Sequence, residues 1–460
     1  MEHMTVGDIV KACGGKLLQG NEETAVTGIS INSREIKKQD LFVPLIGEKT
    51  DAHKYIGQAI NQGAAAVLTS EHTSAPADVC GAWISVPDTK KALQDIGRYY
   101  RNRLSLPLVG VTGSVGKTTT REMVAAALSA GFQVYKTPGN HNSQVGVPIT
   151  LTEIGKEDQI GVIELGMSEP GELTVIARIA QVDMAVITNI GIAHIEQLGS
   201  QENICREKLT IQDGLKPGGI LFLNGDDPWL KDKKAKEGCR TVYYGTGENS
   251  QYRAEEIHME DGYPVFTAVH EEKRVPVHLQ VPGAHQILNA MAALAVADSN
   301  GVPMEEAAKA LERFHGFKGR QQIYKLRDIT VIDDTYNASP VSMCGAIDIL
   351  ASMKETSRKI AVLADMKELG SETVKFHREV GAYLGKQKAD LLVTYGELAK
   401  EIEAGAKGEN PALQTIHFEE RESLEKWLSK ELQYGDCVLF KGSNSMKLGE
   451  VAEHVCQHHH

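Results

Sequence analysis

Lys117 and Thr118 follow the turn Thr112-Gly113-Ser114-Val115-Gly116, and the apolar run Leu106–Val111 leads into that turn. Lys117 and Thr118 open a segment, continuing through the nucleotide-binding candidate Thr119, with apolar residues at Met123, Val124, Ala127 and Leu128, which is helical spacing. Strand, glycine-rich loop and helix in that order make a phosphate cradle. Glycines let backbone N–H groups converge on an anion, and the helix N-terminus adds partial positive charge. The lysine reaches the outer phosphates, and the threonine hydroxyl suits magnesium. A strict eight-residue pattern would need glycine where Val111 stands, but the shorter core Gly113-x-x-Gly116-Lys117-Thr118 is intact. An ordinary glycine-rich turn shares the glycines; the flanking strand and helix favour a nucleoside triphosphate.

Other residues of chemical interest sit where apolar runs end. Glu164 closes Ile160–Ile163, and His194 lies just past Ala185–Ile190. In open parallel sheets ligands collect at the carboxyl ends of strands, so both are expected to face the loop of 112–118 and to serve a magnesium shell. The run Ile329–Ile332 ends in Asp333-Asp334-Thr335-Tyr336-Asn337, which sets carboxylates and amides at a second such edge. Residues 283–299 read as an alanine-rich helix in which Asn289 is a polar exception.

These residues need several domains to position them. A chain of 460 residues exceeds one hydrophobic core, and its patterning divides it into 1–105, 106–315 and 316–457. Residues 4–105 mix short strand-like pieces (Ala25–Ile31, Asp40–Pro44, Ala64–Thr69, Ala82–Val86) with helical patterns at 53–62 and 88–103. From 106 short apolar strands alternate with helices, and 251–281 alternates in β fashion. After 316 the strand-like runs Ile329–Ile332, Lys359–Leu363, Asp390–Val393 and Cys437–Phe440 alternate with helical segments near 340–353, 372–386, 397–406 and 420–432. Strands alternating with helices predict a parallel, doubly wound sheet. The fold class expected is α/β in three domains.

Composition narrows the function. A net charge of −12 argues against a general nucleic-acid surface, so an anionic ligand needs a local basic site. Seven cysteines without a Cys-x-x-Cys pair fit reduced thiols and a cytoplasmic protein. No apolar run approaches the ~20 residues of a membrane span. Met1–His3 read as a cloning scar and His458–His460 as a tag remnant, outside the functional chain.

The ordered stretches ISINSRE, VTGSVGKTTT, TPGNHNSQVGVP, IELGMSEPGEL, ITNIGIAHIEQLGS, CREKLTI, GAHQILNAMAALA, FKGRQQ, VIDDTYNASP, LADMKELG and VLFKGSNSMKL resemble the Mur ligase family over roughly residues 5–455. The likeness is strongest to the branch that adds D-alanyl-D-alanine to UDP-N-acetylmuramoyl-tripeptide. It implies an N-terminal UDP-sugar domain, a central P-loop ATPase-type parallel sheet and a C-terminal Rossmann-like domain that closes over the nucleotide. ATP and Mg²⁺ are implied as cofactors, with a monomer acting through an acyl phosphate. By the same resemblance Ser33 and Arg34 match the uridine-nucleotide motif, and Asn140 and Asn142 a substrate-contacting loop. Glu164 and His194 match magnesium ligands, Asn289 an adenine contact, Arg320 a phosphate contact and Asp334 a ribose contact. Lys208 matches a lysine that the family carries as a carbamate, whereas a lone lysine in the expected helix Gln201–Leu215 is ordinarily a solvated surface charge. The pattern departs at Asn32, Ala52, Ser143 and Ser339, where the family usually has Asp, Gly, Asn and Asn. A sister ligase that adds a single amino acid and a non-enzymatic nucleotide switch are the competing readings. The Asp-Asn-Pro-Arg motif usual in the diamino-acid-adding sister enzyme is absent.

Overall fold

The computed structural model describes residues 1–47, 50–76, 80–260 and 262–459. Three large sheets carry the architecture, with helices packed on them. The first has five strands in the order Lys16–Gln19, Ala82–Ser85, Ala66–Thr69, Asp40–Phe42, Gly28–Ser30. The expected single strand over 25–31 is divided. Ala25–Val26 pairs antiparallel with Met4–Thr5, while Gly28–Ser30 runs parallel to Asp40–Phe42.

The central sheet has nine strands. Leu108–Thr112 lies between Met184–Ile187 and Ile160–Glu164, parallel to both, with Val111 level with Glu164 and Thr112 level with Ile187. These strands are buried throughout, which is why they read as unbroken apolar runs. The register brings Glu164 and the segment after Ile187 to the edge at which the glycine loop begins. Tyr252–Glu260, Tyr263–His270 and Lys273–His278 add an antiparallel extension, and there the burial alternates as the sequence did. Helix Lys117–Leu128 packs on Gln286–Ser299, whose alanines are fully enclosed and allow the close approach.

The third sheet orders Gln322–Lys325, Thr330–Asp333, Cys437–Lys441, Lys359–Ala364, Leu391–Tyr395 and Gln414–Phe418. It is parallel except for its first strand. Met343, Val380 and Ile402 cover one face, and Leu424, Leu448 and Val451 the other, which makes the sheet doubly wound. The sequence reading missed both edge strands, which are only half-buried and lack the apolar signature.

Two features bear on the site. Helix Thr89–Arg101 is joined to the centre by its last residue: Arg101 Nε donates to the Ala180 carbonyl at 2.8 Å, and Nη2 reaches Gln181 O and Asp183 Oδ2. The helix expected over Gln201–Leu215 stops at Leu209 and tightens into a 3₁₀ turn, Thr210–Gly214. There Gly214 passes so close to helix Glu172–Ala180 that a Cβ would stand 1.8 Å from the Ala177 carbonyl oxygen.

Candidate functional site

The glycine loop is shaped from the neighbouring strand end. Ser114 N–H donates to Asn189 O and Val115 N–H to Asn189 Oδ1, both at 3.0 Å. The Val115 carbonyl accepts from Thr188 Oγ1 and Asn189 Nδ2. Gly113 sits against Thr188, where a Cβ would lie 1.8 Å from Oγ1, and Gly116 takes φ 82° at the helix N-terminus. Both glycines are therefore required by space or backbone conformation. The buried hydroxyls of Thr112 and Ser114 and Nε of Arg320 have no hydrogen-bond partner among the described residues. Such orphaned polar atoms around a helix N-terminus fit a bound polyphosphate.

Lys117 Nζ donates to the Gly113 carbonyl at 3.0 Å. Desolvation pushes its pKa down, nearby Arg320 adds to that, and Glu164 acts in the opposite direction. Glu164, 1% exposed, accepts at Oε1 from Asn142 Nδ2 at 2.7 Å and at Oε2 from Arg121 Nη1 at 3.2 Å. Each carboxylate oxygen keeps a lone pair for a cation. Arg121 also donates to the Gly139 carbonyl and so joins the phosphate-loop helix to the loop of Asn140 and Asn142. Asn142 reaches the site, whereas Asn140 is exposed.

His194 adopts the left-handed conformation, φ 62°. Burial, then the Lys117 and Lys208 charges, lower its pKa to about 4, so its ring is neutral at neutral pH. Lys208 is not the solvated helical charge its sequence context allows. It is 1% exposed, without a hydrogen bond or ion pair among the described residues, and desolvation beside Lys117 drives its pKa well down. The adjacent Glu207 accepts at Oε1 from the Gly171 and Leu173 amides, which fixes the loop after Glu164.

The third domain contributes Arg320, whose Nη2 donates to Thr118 Oγ1 at 3.1 Å and whose guanidinium stacks 4.0 Å from the Tyr336 ring centroid. Thr119 lies half-buried on the same first helical turn. Asn289 is committed to neighbours: Oδ1 accepts from Thr120 Oγ1 and Nδ2 donates to Gln286 Oε1. Asp334 forms a buried ion pair with Lys441 at 2.6 Å. Thr188, Asn189, Arg121 and Lys441 were not singled out from sequence, since their contacts come from distant segments.

In the first domain Ser33 Oγ donates to Gln58 Oε1 at 3.1 Å, and Arg34 is exposed. Beside Gln58 opens a cavity of about 600 Å³ lined by His53, Lys54, His72 and Trp83. Asp51, His53 and Glu71 cluster there, but the ring nitrogens of His53 are engaged by Asp51 and Ser70. Among the described residues no helix is long and apolar enough to cross a membrane.

Comparison with known proteins places the whole chain. The Mur ligase family catalytic domain matches residues 25–101, the Mur ligase middle domain 111–297, and the Mur ligase glutamate ligase domain 319–444. The UDP-N-acetylmuramoyl-tripeptide--D-alanyl-D-alanine ligase of Bacillus subtilis (strain 168) is 36% identical over 98% of both chains. A crystal structure of MurF from Acinetobacter baumannii superposes with TM-score 0.90 over 99% of both chains at 30% identity. MurF of Thermotoga maritima in complex with ADP covers 94% of this chain and 98% of its own, with TM-score 0.83 and 28% identity. With the three family domains matched in order and a relative 36% identical over 98% of the chain, the chain belongs to the Mur ligase family.

Proposed function

We propose that this protein is the ATP-dependent ligase that joins D-alanyl-D-alanine to the terminal carboxylate of UDP-N-acetylmuramoyl-tripeptide in peptidoglycan precursor synthesis. The observation that carries this reading is the near full-length 36% identity to a ligase of that name, combined with a phosphate site fed by two domains. A sister ligase for a single amino acid is less well supported, since the Mur ligases of other named activities resemble this chain at 16–21% identity.

A carboxylate resists attack by an amine. Transfer of the γ-phosphoryl of ATP to it makes an acyl phosphate. The amine nitrogen then bonds to the carbonyl carbon, phosphate leaves with the C–O electron pair, and the nitrogen gives up a proton. Lys117 and Arg320 supply cations where charge builds on the phosphoryl oxygens, and the amides at the start of helix Lys117–Leu128 orient the phosphates. Thr118, Glu164 and His194 would hold Mg²⁺, which when bound would supply Lewis-acid charge to the phosphates. Lys208, enclosed with its ammonium disfavoured, suits the carbamate that gives two further oxygens.

We further assign Ser33, Arg34 and the neighbouring cavity to the UDP moiety, Asn140 and Asn142 to the peptide substrate, Asn289 to adenine and Asp334 to ribose. Boundaries near 105 and 315 would separate these duties. Action as a monomer is part of this proposal, and seven free thiols support a cytoplasmic setting. The test supplies ATP, magnesium and UDP-N-acetylmuramoyl-tripeptide: phosphate should appear only on addition of D-alanyl-D-alanine. Equal turnover with a single amino acid would reject the assignment.

A further inference from the structure

Three substrates meet in the proposed reaction, and this inference rests on that reading. ATP brings phosphates and the UDP-linked peptide the carboxylate to be activated, whereas the reacting end of D-alanyl-D-alanine arrives as an ammonium. A carboxylate at the mouth of the phosphate site repels the first two and attracts the third.

Glu368 is such a carboxylate. It comes from the third domain, and its Oε2 lies 3.7 Å from His194 Nδ1 with 68% of the side chain exposed. That distance exceeds a hydrogen bond, and among the described residues Glu368 makes none, so its oxygens are available. The cation on its own loop, Lys367, is taken by Asp365 at 2.8 Å.

The placement of Glu368 is imposed by its surroundings. It holds φ 65°, a left-handed conformation that a glutamate keeps only when the neighbouring chain requires it. Three segments fix the loop before it. Met366 N–H donates to His377 Nε2 at 3.0 Å, Lys367 N–H to Ser443 Oγ at 2.9 Å, and Asp365 Oδ1 accepts from Ala399 N–H at 2.8 Å. Gly370, two residues on, packs against Glu196 in the helix that His194 begins.

We propose that the Glu368 carboxylate holds the ammonium of the incoming D-alanyl-D-alanine beside His194, and so selects a cationic acceptor for the acyl phosphate. The residue binds substrate; its neighbours His377 and Ser443 position it.

The unmodified protein is first assayed for D-alanyl-D-alanine ligation, and failure there overturns the ligase reading itself. With that activity in hand, Glu368→Gln, which keeps size and removes charge, is expected to raise the KM for D-alanyl-D-alanine about tenfold. The KM values for ATP and the UDP-tripeptide should stay near those of the parent, and Glu368→Asp should recover part of the loss. Hydroxylamine, a neutral nucleophile near neutral pH, should trap the acyl phosphate with a much smaller penalty. An unchanged KM for D-alanyl-D-alanine, an equal loss with hydroxylamine, or a raised magnesium requirement in its place would overturn the assignment.

Discussion

Arg320 and Thr118 are 202 positions apart in the chain, yet Arg320 Nη2 donates to Thr118 Oγ1 at 3.1 Å. The first turn of the third domain thus touches the first turn of the phosphate-loop helix. Stacking on Tyr336 holds the guanidinium plane, and its Nε is enclosed without a partner among the described residues. Arg320→Lys keeps the charge but loses the fork and the stacking, so kcat for phosphate release is expected to fall about a hundredfold. A variant with the parent kcat would show that the contact is only structural.

Lys117→Ala should abolish ligation and leave the far-ultraviolet circular dichroism unchanged. Its ammonium is desolvated and among the described residues bonds the Gly113 carbonyl alone, so its removal relieves a desolvated charge and takes no side chain from the apolar core. Loss of secondary structure would contradict this account.

His377 gives a prediction in pH. It is fully buried; Nε2 accepts from Met366 N–H while Nδ1 donates to Thr373 O, so both nitrogens are matched to the neutral ring. Burial lowers its pKa below the usual value. The unfolded chain therefore takes up the proton first, and stability falls as pH drops below about 6.5 until the folded pKa is reached. Urea unfolding at pH 7.5 and 5.5 should show this loss, at no more than about 1.4 kcal/mol per pH unit for one histidine. The slope should be shallower in His377→Asn, and identical slopes would remove His377 from the explanation.

Lys208→Ala should be nearly inactive and partly rescued by acetate, which returns a carboxylate to the space the carbamate would occupy. The depressed pKa makes the neutral amine available for carbamylation. Carbon-13 magnetic resonance under labelled carbon dioxide should show a carbamate signal in the parent and none in the variant. Full activity of the variant without added acid would sink the idea.

The parts of this site that were legible in the sequence are those whose chemistry is local. Gly113-x-x-Gly116-Lys117-Thr118 carries its geometry within six residues, and Glu164 is marked by ending an apolar strand. Long-range contacts left no such mark. Arg121 reads as one more helical cation, and only folding brings it to Glu164 and the Gly139 carbonyl. Glu368 reads as a loop acid until the third sheet carries it to His194. Lys208 is the sharpest case. Its helix is polar enough to pass for a surface element, yet the folded chain encloses the lysine.

The Arg101 anchorage decides where the molecule can bend. Its guanidinium is sunk among the carbonyls of Ala180 and Gln181, and Gly97 of the same helix lies flush against Pro148, with no room for a methyl group. Tearing that seam would strand a buried charge, whereas the third domain meets the centre through neutral hydrogen bonds of Gln321 to Gln286 and His285, the Arg320–Thr118 contact and the open pair His194–Glu368. If the third domain closes over the nucleotide, the first domain and the centre are expected to move together, and the strain would fall on the connection near residues 314–320. An inhibitor lodged there would then act without occupying any substrate site.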